Sequence, residues 1–348
     1  MKYARLGRTN ENVSRVCLGT MTFGQQNTQI DAHTLLDYAV ERGINFFDAS
    51  ELYPIPPRPD TRGLTEKFIG SWLKGRADRD KVIIATKIVG RVDRMNWFRP
   101  DGRGPRLNKR DIDFAVERSL KALQTDYIDL YQLHWPDRQR DIFGFHSYRD
   151  YGVEDMIPFE ETLEALSRHV DAGRIRHIGL SNETGWGPMS FLHLAEKRGW
   201  PRMATIQNVY NLVSRRFDYD LAEIALREDI GLLAYSPLAQ GFLTGKYRGG
   251  ARPENARATL FGRMERYEGD NAQEAIDAAE DLAHKLGLTP VQLALKFVDS
   301  RPFTTSTIIG ATTMDQLKEN IDAFDLDWTP EMDKAVHKFH CHYRSPCP

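Results

Sequence analysis

Tyr127-Ile128-Asp129-Leu130-Tyr131-Gln132-Leu133-His134 is a run of β-favouring residues that stops at an ionisable side chain. The segments on either side are of another kind: at 109–123 and 159–172 apolar residues return every three or four positions, the period of an amphipathic helix. The same alternation continues outward in both directions. Short β-rich runs occur at 16–19, 44–48, 82–87, 127–134, 175–181, 203–208, 231–236 and 305–310, and helix-like stretches also cover 31–42 and 221–228. Each strand in such a series needs a crossover to reach the next, so the sheet is parallel. Eight strand and helix pairs predict closure into a (β/α)8 TIM barrel.

Two kinds of segment depart from the rhythm. Residues 3–16 hold two short runs around Gly7-Arg8-Thr9-Asn10-Glu11-Asn12, which predicts a β-hairpin placed to cover the N-terminal mouth of the barrel. Long connections at 54–63, 90–108, 135–158 and 237–271 all follow strands. In a barrel they crowd the C-terminal face, where such folds place their active sites, so the binding surface is expected there. No linker divides the chain, and residues 1–348 are expected to form a single domain.

Composition narrows the function. The 348 residues carry 47 Lys plus Arg against 49 Asp plus Glu, a net charge of −2, which excludes a strongly basic nucleic-acid binder. A hydrophobic share of 41% with 28% charged residues suits a globular chain with a sizeable core. No apolar stretch approaches the ~18 residues that span a bilayer. The opening MKYARLGRTN lacks the apolar core of a secretory signal, so a cytoplasmic protein without a membrane partner is expected. Three cysteines, Cys17, Cys341 and Cys347, fit reduced thiols. His337, His340, Cys341, His342 and Cys347 follow no zinc-ligand spacing, so no metal is expected. The stretch from Arg91 to Arg110 has seven basic residues opposed by Asp93 and Asp101, and is expected to be a solvated loop.

Three runs end in an ionisable residue: Asp48 after Ile44-Asn45-Phe46-Phe47, Lys87 after Ile83-Ile84-Ala85-Thr86, and His134. A charge at the end of a hydrophobic strand is costly unless paired. Singly, such residues are usually caps, turn formers or satisfied structural groups. Their coincidence at the ends of strands two, three and four, with Tyr53 five residues beyond Asp48, points to chemistry. A tyrosine hydroxyl titrates near pH ~10, and a neighbouring ammonium lowers that value by stabilising the phenolate. Lys87 is expected to do this, Asp48 to hold Lys87, and His134 to bind a substrate oxygen or join a proton relay. The set suits protonation of a carbonyl oxygen as hydride reaches its carbon, with the hydride from a cofactor.

Asp48-Ala49-Ser50-Glu51-Leu52-Tyr53, Ala85-Thr86-Lys87, Leu133-His134-Trp135-Pro136 and Gly179-Leu180-Ser181-Asn182 resemble, in order, the motifs of the aldo-keto reductases. Further matches are Gln207-Asn208, Ala234-Tyr235-Ser236-Pro237-Leu238, Gly245-Lys246-Tyr247 and Ile309-Gly310-Ala311 followed by Gln316 and Glu319-Asn320. The resemblance implies an NADP(H)-dependent barrel reductase of aldehydes or ketones, with Asp48, Tyr53, Lys87 and His134 as the catalytic tetrad and Tyr53 as proton donor. It implies Ser181, Asn182 and Gln207 on the nicotinamide carboxamide and Tyr235 stacked beneath the ring. Ser236, Pro237, Leu238, Gln240 and Gly241 match the loop over the pyrophosphate, Lys246 and Arg257 the cations that meet its phosphates, and Gly310, Thr312, Gln316 and Asn320 the segment around the adenosine. Consistent with a barrel rather than a Rossmann cofactor site, no G-x-G-x-x-G follows a predicted strand. Many family members carry an arginine shortly after the glycine of strand eight. Ala311, Thr312 and Thr313 supply no positive charge, so NADP preference rests more heavily on Lys246 and Arg257.

Met21, Phe23, Trp97, Phe98 and Trp135 are candidate walls of an apolar carbonyl pocket. Two other functions remain open. One is an NADPH-binding auxiliary or redox-sensing subunit, because the family resembled includes potassium-channel β subunits. The other is a barrel aldolase with Lys87 as its Schiff-base lysine.

Overall fold

The computed structural model describes residues 1–138, 155–262, 264–269 and 271–347. Two short strands, β1 (Tyr3–Arg5) and β2 (Asn12–Ser14), pair antiparallel as the expected hairpin. Eight strands follow: β3 (Val16–Gly19), β4 (Phe46–Asp48), β5 (Ile83–Ile88), β6 (Ile128–Leu133), β7 (Ile175–Ser181), β8 (Met203–Val209), β9 (Leu232–Tyr235) and β10 (Thr304–Gly310). Each is parallel to the next and β10 returns to β3, closing the barrel. The architecture is the expected (β/α)8 barrel.

Around it lie α1 (Gln29–Glu41), α2 (Leu64–Lys74), α3 (Lys109–Leu123), α4 (Phe159–Asp171), α5 (Trp186–Arg198), α6 (Leu221–Glu228), α7 (Arg257–Phe261), α8 (Ala272–Lys285), α9 (Pro290–Asp299), α10 (Met314–Asp322) and α11 (Pro330–His342). Local chemistry fixes several starts. Thr28 with Asp31 and Thr289 with Gln292 form reciprocal capping boxes, and Asn108, Thr313 and Thr329 accept hydrogen bonds from the first turns of α3, α10 and α11. The inward stripe of α3, with Ile112, Ala115, Val116 and Leu123, packs into the layer between helices and sheet.

Strand alternation makes two cores. Val16, Phe47, Ile84, Tyr131 and Ile309 face the helices, whereas Cys17, Phe46, Ile83, Leu130, Leu233 and Ile308 meet inside the barrel. Leu6 and Val13 of the hairpin join that inner cluster from below. Asn45, just before β4, accepts from the Ser14 N–H at 2.7 Å and donates to the Asn12 carbonyl at 2.9 Å. Arg5 pairs with Asp229, just before β9, so the hairpin does cover the N-terminal mouth.

One sequence-based expectation changes. Residues 237–271 are more than a loop, because they contain α7 and several 3-10 turns. Residues 139–154 of the third long connection lie outside the described residues. The C-terminal segment is helical through α11, with Cys347 buried and Cys341 exposed. No helix among the described residues is long and apolar enough to cross a membrane.

Candidate active site

Asp48 ends β4, Lys87 lies near the end of β5, and His134 follows β6, so adjacent strands bring all three to the C-terminal mouth. The segment after Asp48 continues along β5, with Ala49 N–H bonded to the Ala85 carbonyl and Glu51 N–H to that of Lys87. A turn from Ser50 to Tyr53 then folds the phenol back over the mouth. Lys87 is fully buried, its Nζ donating to Asp48 Oδ2 at 2.6 Å and to the Ala49 carbonyl at 2.8 Å. The ammonium lies 5.0 Å from the Tyr53 ring centroid, and the His134 and Tyr53 rings meet edge to face at 5.7 Å.

Asp48 is saturated by amides as well. Its Oδ1 accepts from Gln207 Nε2 at 2.8 Å and from Gln132 Nε2 at 3.3 Å. Gly179 on β7 makes room for this layer, since a Cβ there would stand 2.7 Å from Thr205 Oγ1 and 3.3 Å from Gln132 Cγ. Gln132 is missing from the sequence-based set. Its signal is strand parity, because it shares the inward face of β6 with Leu130.

Burial alone would drive the Lys87 pKa down, but attraction to Asp48 and then to Tyr53 leaves it above its usual value. A lysine held charged is not a Schiff-base nucleophile, which counts against aldolase chemistry. For Tyr53 the expected lowering is reversed. Burial raises its pKa by more than Lys87 lowers it, with Asp48 adding to the rise, so the phenol keeps its proton at neutral pH. Burial and then Lys87 push the His134 pKa well below the ordinary value, so the imidazole is neutral.

A cavity of about 1740 Å³ opens over these groups. Asp48, Tyr53 and His134 line it, as does every residue matched to a cofactor contact, from Ser181 and Asn182 through Tyr235 and the 236–241 loop to Gly310 and Asn320. Lys87 stands one layer behind. The end of the cavity beside Lys246 suits an anion. Ser236, Ala239, Gln240 and Gly241 have positive φ, and a Cβ on Gly241 would stand 2.6 Å from Lys246 Cε. Half-buried Lys246 pairs with no acid among the described residues. Arg257 lines the same wall. Gly310 leaves open space where a Cβ would sit, and Gln316 Oε1 accepts from Thr312 N–H at 2.9 Å. A phosphate-bearing dinucleotide fits this donor set and volume.

Some matched residues are already engaged. Asn182 donates to the His134 carbonyl at 2.9 Å and to Ser181 Oγ at 3.1 Å, while its Oδ1 accepts from the Tyr235 hydroxyl at 2.7 Å. It therefore offers a ligand only the remaining acceptor capacity of Oδ1. Buried Arg266, which sequence reasoning missed, lies against the Tyr235 and Tyr267 hydroxyls and lines the cavity.

Met21 and Trp135 line the cavity near Tyr53 with Leu52, Ile55, Val92 and Met95. Phe23, Trp97 and Phe98 do not reach it; Phe98 packs behind Leu52 and Tyr53. The basic loop is not simply solvated. Arg99 is 3% exposed and forks onto Glu51 at 2.8 and 2.9 Å, and Arg106 pairs with Asp137 at 2.8 Å. These pairs, whose acids lie outside the loop, fix it as a wall.

A closed parallel barrel with a buried Asp–Lys pair, a phenol and an imidazole at its C-terminal mouth defines a class of oxidoreductase. The model of the aldo/keto reductase family matches residues 15–340, and the chain belongs to that family. The family generally uses NAD(P)H, and its substrates are small molecules. Over 350 residues the chain is 48% identical to "Protein tas" of Escherichia coli (strain K12), covering 100% of both chains. It is 35% identical to "Uncharacterized oxidoreductase YrpG" of Bacillus subtilis (strain 168), covering 95% of this chain and 94% of the relative. A "Probable voltage-gated potassium channel subunit beta" of Arabidopsis thaliana is 29% identical, over 94% of this chain and 92% of its own.

Proposed function

We propose that the protein reduces an aldehyde or ketone to an alcohol with NADPH, in the cytoplasm. The observation that carries this reading is the buried Lys87–Asp48 pair beside a protonated Tyr53, on the floor of a cavity that runs on to the Lys246 loop. When bound, the reduced nicotinamide supplies hydride to the carbonyl carbon. Tyr53 gives its hydroxyl proton to the carbonyl oxygen, completing the alcohol. The phenolate left behind faces the Lys87 ammonium, which Asp48 holds charged, and regains a proton from water. Neutral His134 binds the carbonyl oxygen rather than relaying a proton. Gln207, whose Nε2 is taken by Asp48, offers Oε1 to the carboxamide, Ser181 and Asn182 complete that contact, and Tyr235 carries the ring. Lys246 and Arg257 meet the 2′-phosphate, and a charged hydrogen bond of about 1.5–3 kcal/mol favours NADPH over NADH by roughly ten- to hundredfold. The apolar wall of Met21, Leu52, Ile55 and Trp135 favours substrates with an aromatic or branched apolar body.

Fluorescence titration with NADPH and NADH, followed by a panel of carbonyl compounds, tests the reading. Tighter NADPH binding and turnover of apolar aldehydes are expected. NADPH binding without turnover on a broad panel, together with a membrane partner in a pull-down, replaces it by the auxiliary-subunit reading that the channel-subunit relatives suggest. A borohydride-trapped adduct at Lys87 replaces it by the aldolase.

A further inference from the structure

We propose that Ser50 is a positioning residue that holds His134 in the tautomer with its proton on Nε2, so that the ring presents an N–H to the cavity. Ser50 Oγ lies 3.1 Å from His134 Nδ1, and both side chains are buried. The same oxygen accepts from the Leu52 N–H at 3.2 Å. Among the described residues, His134 Nδ1 is the acceptor within reach of the Ser50 hydroxyl. Were Nδ1 protonated, it would donate to Oγ, and the hydroxyl hydrogen of a fully buried serine would have no acceptor. With the hydroxyl donating to Nδ1, both the serine oxygen and Nδ1 are satisfied. The imidazole proton then belongs to Nε2, which makes no hydrogen bond to the described residues and belongs to a ring that lines the cavity.

The backbone leaves Ser50 little freedom. Ala49 and Glu51 on either side are bonded to β5, the Ser50 carbonyl accepts from Tyr53 N–H at 3.1 Å, and Glu51 is clamped by Arg99. His134 is tied to the same strand through its N–H to the Ile88 carbonyl at 2.9 Å. The serine thus sets the imidazole proton relative to the phenol three residues along its own chain. The benefit to catalysis rests on the proposed reductase reading, in which the Nε2–H and the Tyr53 hydroxyl converge on one carbonyl oxygen. The tautomer itself does not depend on it.

The experiment is 15N NMR of the full chain labelled in histidine, with His134 assigned by its loss in His134→Gln. A pyrrole-type Nε2 and a pyridine-type Nδ1 are expected, and the reverse pattern overturns the inference whatever the enzyme does. In Ser50→Ala the signal should move toward the other tautomer, and kcat/KM for an aldehyde should fall about tenfold or more with the NADPH Kd unchanged. Ser50→Thr, which keeps the hydroxyl, should restore both. A Ser50→Ala protein with wild-type spectrum and wild-type kcat/KM overturns the proposal. Wild-type protein that reduces no carbonyl compound overturns the reductase reading instead, and the spectrum alone then decides the tautomer.

Discussion

The lower and upper halves of the barrel interior are built on the same strands and the same inward parity, yet they are chemical opposites. On β4 and β5 the lower positions are Phe46 and Ile83, which stand opposite each other, while two and four residues further on come Asp48 and Lys87. On β6 Leu130 gives way to Gln132. The lower layer is sealed by Leu6 and Val13 of the hairpin and holds together by packing. The upper layer is equally dry, but it consists of a charge pair whose oxygens and protons are claimed by Gln132, Gln207 and the Ala49 carbonyl. Inward parity therefore decides only that a side chain is desolvated. What it does there depends on whether a partner waits at the same depth.

The sharpest way to break this contrast is to remove the upper group proposed as the proton donor. Tyr53→Phe keeps the ring and its contact with His134, so NADPH affinity should be unchanged while kcat falls by a factor of about 10²–10⁴. Full turnover would leave the upper half as structure alone. Next in size is Asp48→Asn, which leaves the fully buried Lys87 ammonium without its counter-charge. Breaking one side of a buried pair costs about 3–5 kcal/mol, read as a shift in the denaturant midpoint. Adding Lys87→Met should return most of the stability but none of the activity. In the lower half, Leu6→Ala should cost about 2–5 kcal/mol through the cavity it leaves, with kcat/KM unaffected at a temperature where the variant is folded. A Leu6→Ala protein of normal stability but altered KM would show that the two halves are not separable.

This division was partly legible in the residues. The runs at 16–19 and 175–181 and the helices at 109–123 and 221–228 coincide with β3, β7, α3 and α6, because β-branched runs and three-to-four periodicity are local signals. Asp48, Lys87 and His134 stood out as polar ends to apolar runs. Gln132 did not, although its parity with Leu130 placed it inside, because a glutamine carries no formal charge to attract notice. The partners of the basic loop were beyond local reading: Arg99 finds Glu51 48 positions earlier, and Arg106 finds Asp137 31 positions later. The direction of the Tyr53 shift was hidden for a related reason. A nearby lysine is visible as a motif, but the burial that outweighs it exists only once the mouth has closed.

The smallest expected effect separates the upper groups by their protons. Tyr53 is raised above its ordinary value near 10 and His134 is held well below 6.5, so neither changes state between pH 7 and 9. The reductive kcat/KM should run flat across that range and fall only where Tyr53 loses its proton, above pH ~10. Stability should show what the rate does not. In the unfolded chain His134 takes up a proton below pH ~6.5, whereas in the folded chain it stays neutral, so the unfolded state binds more protons and stability is lost as pH falls through 6.5. One such histidine contributes about 1.4 kcal/mol between pH 7.5 and 5.5. Denaturant midpoints at the two pH values should therefore differ less in His134→Gln than in the wild type. Equal differences would mean that the imidazole is charged in the folded protein at pH 5.5, and it would then face the Lys87 ammonium as a second cation in the upper layer.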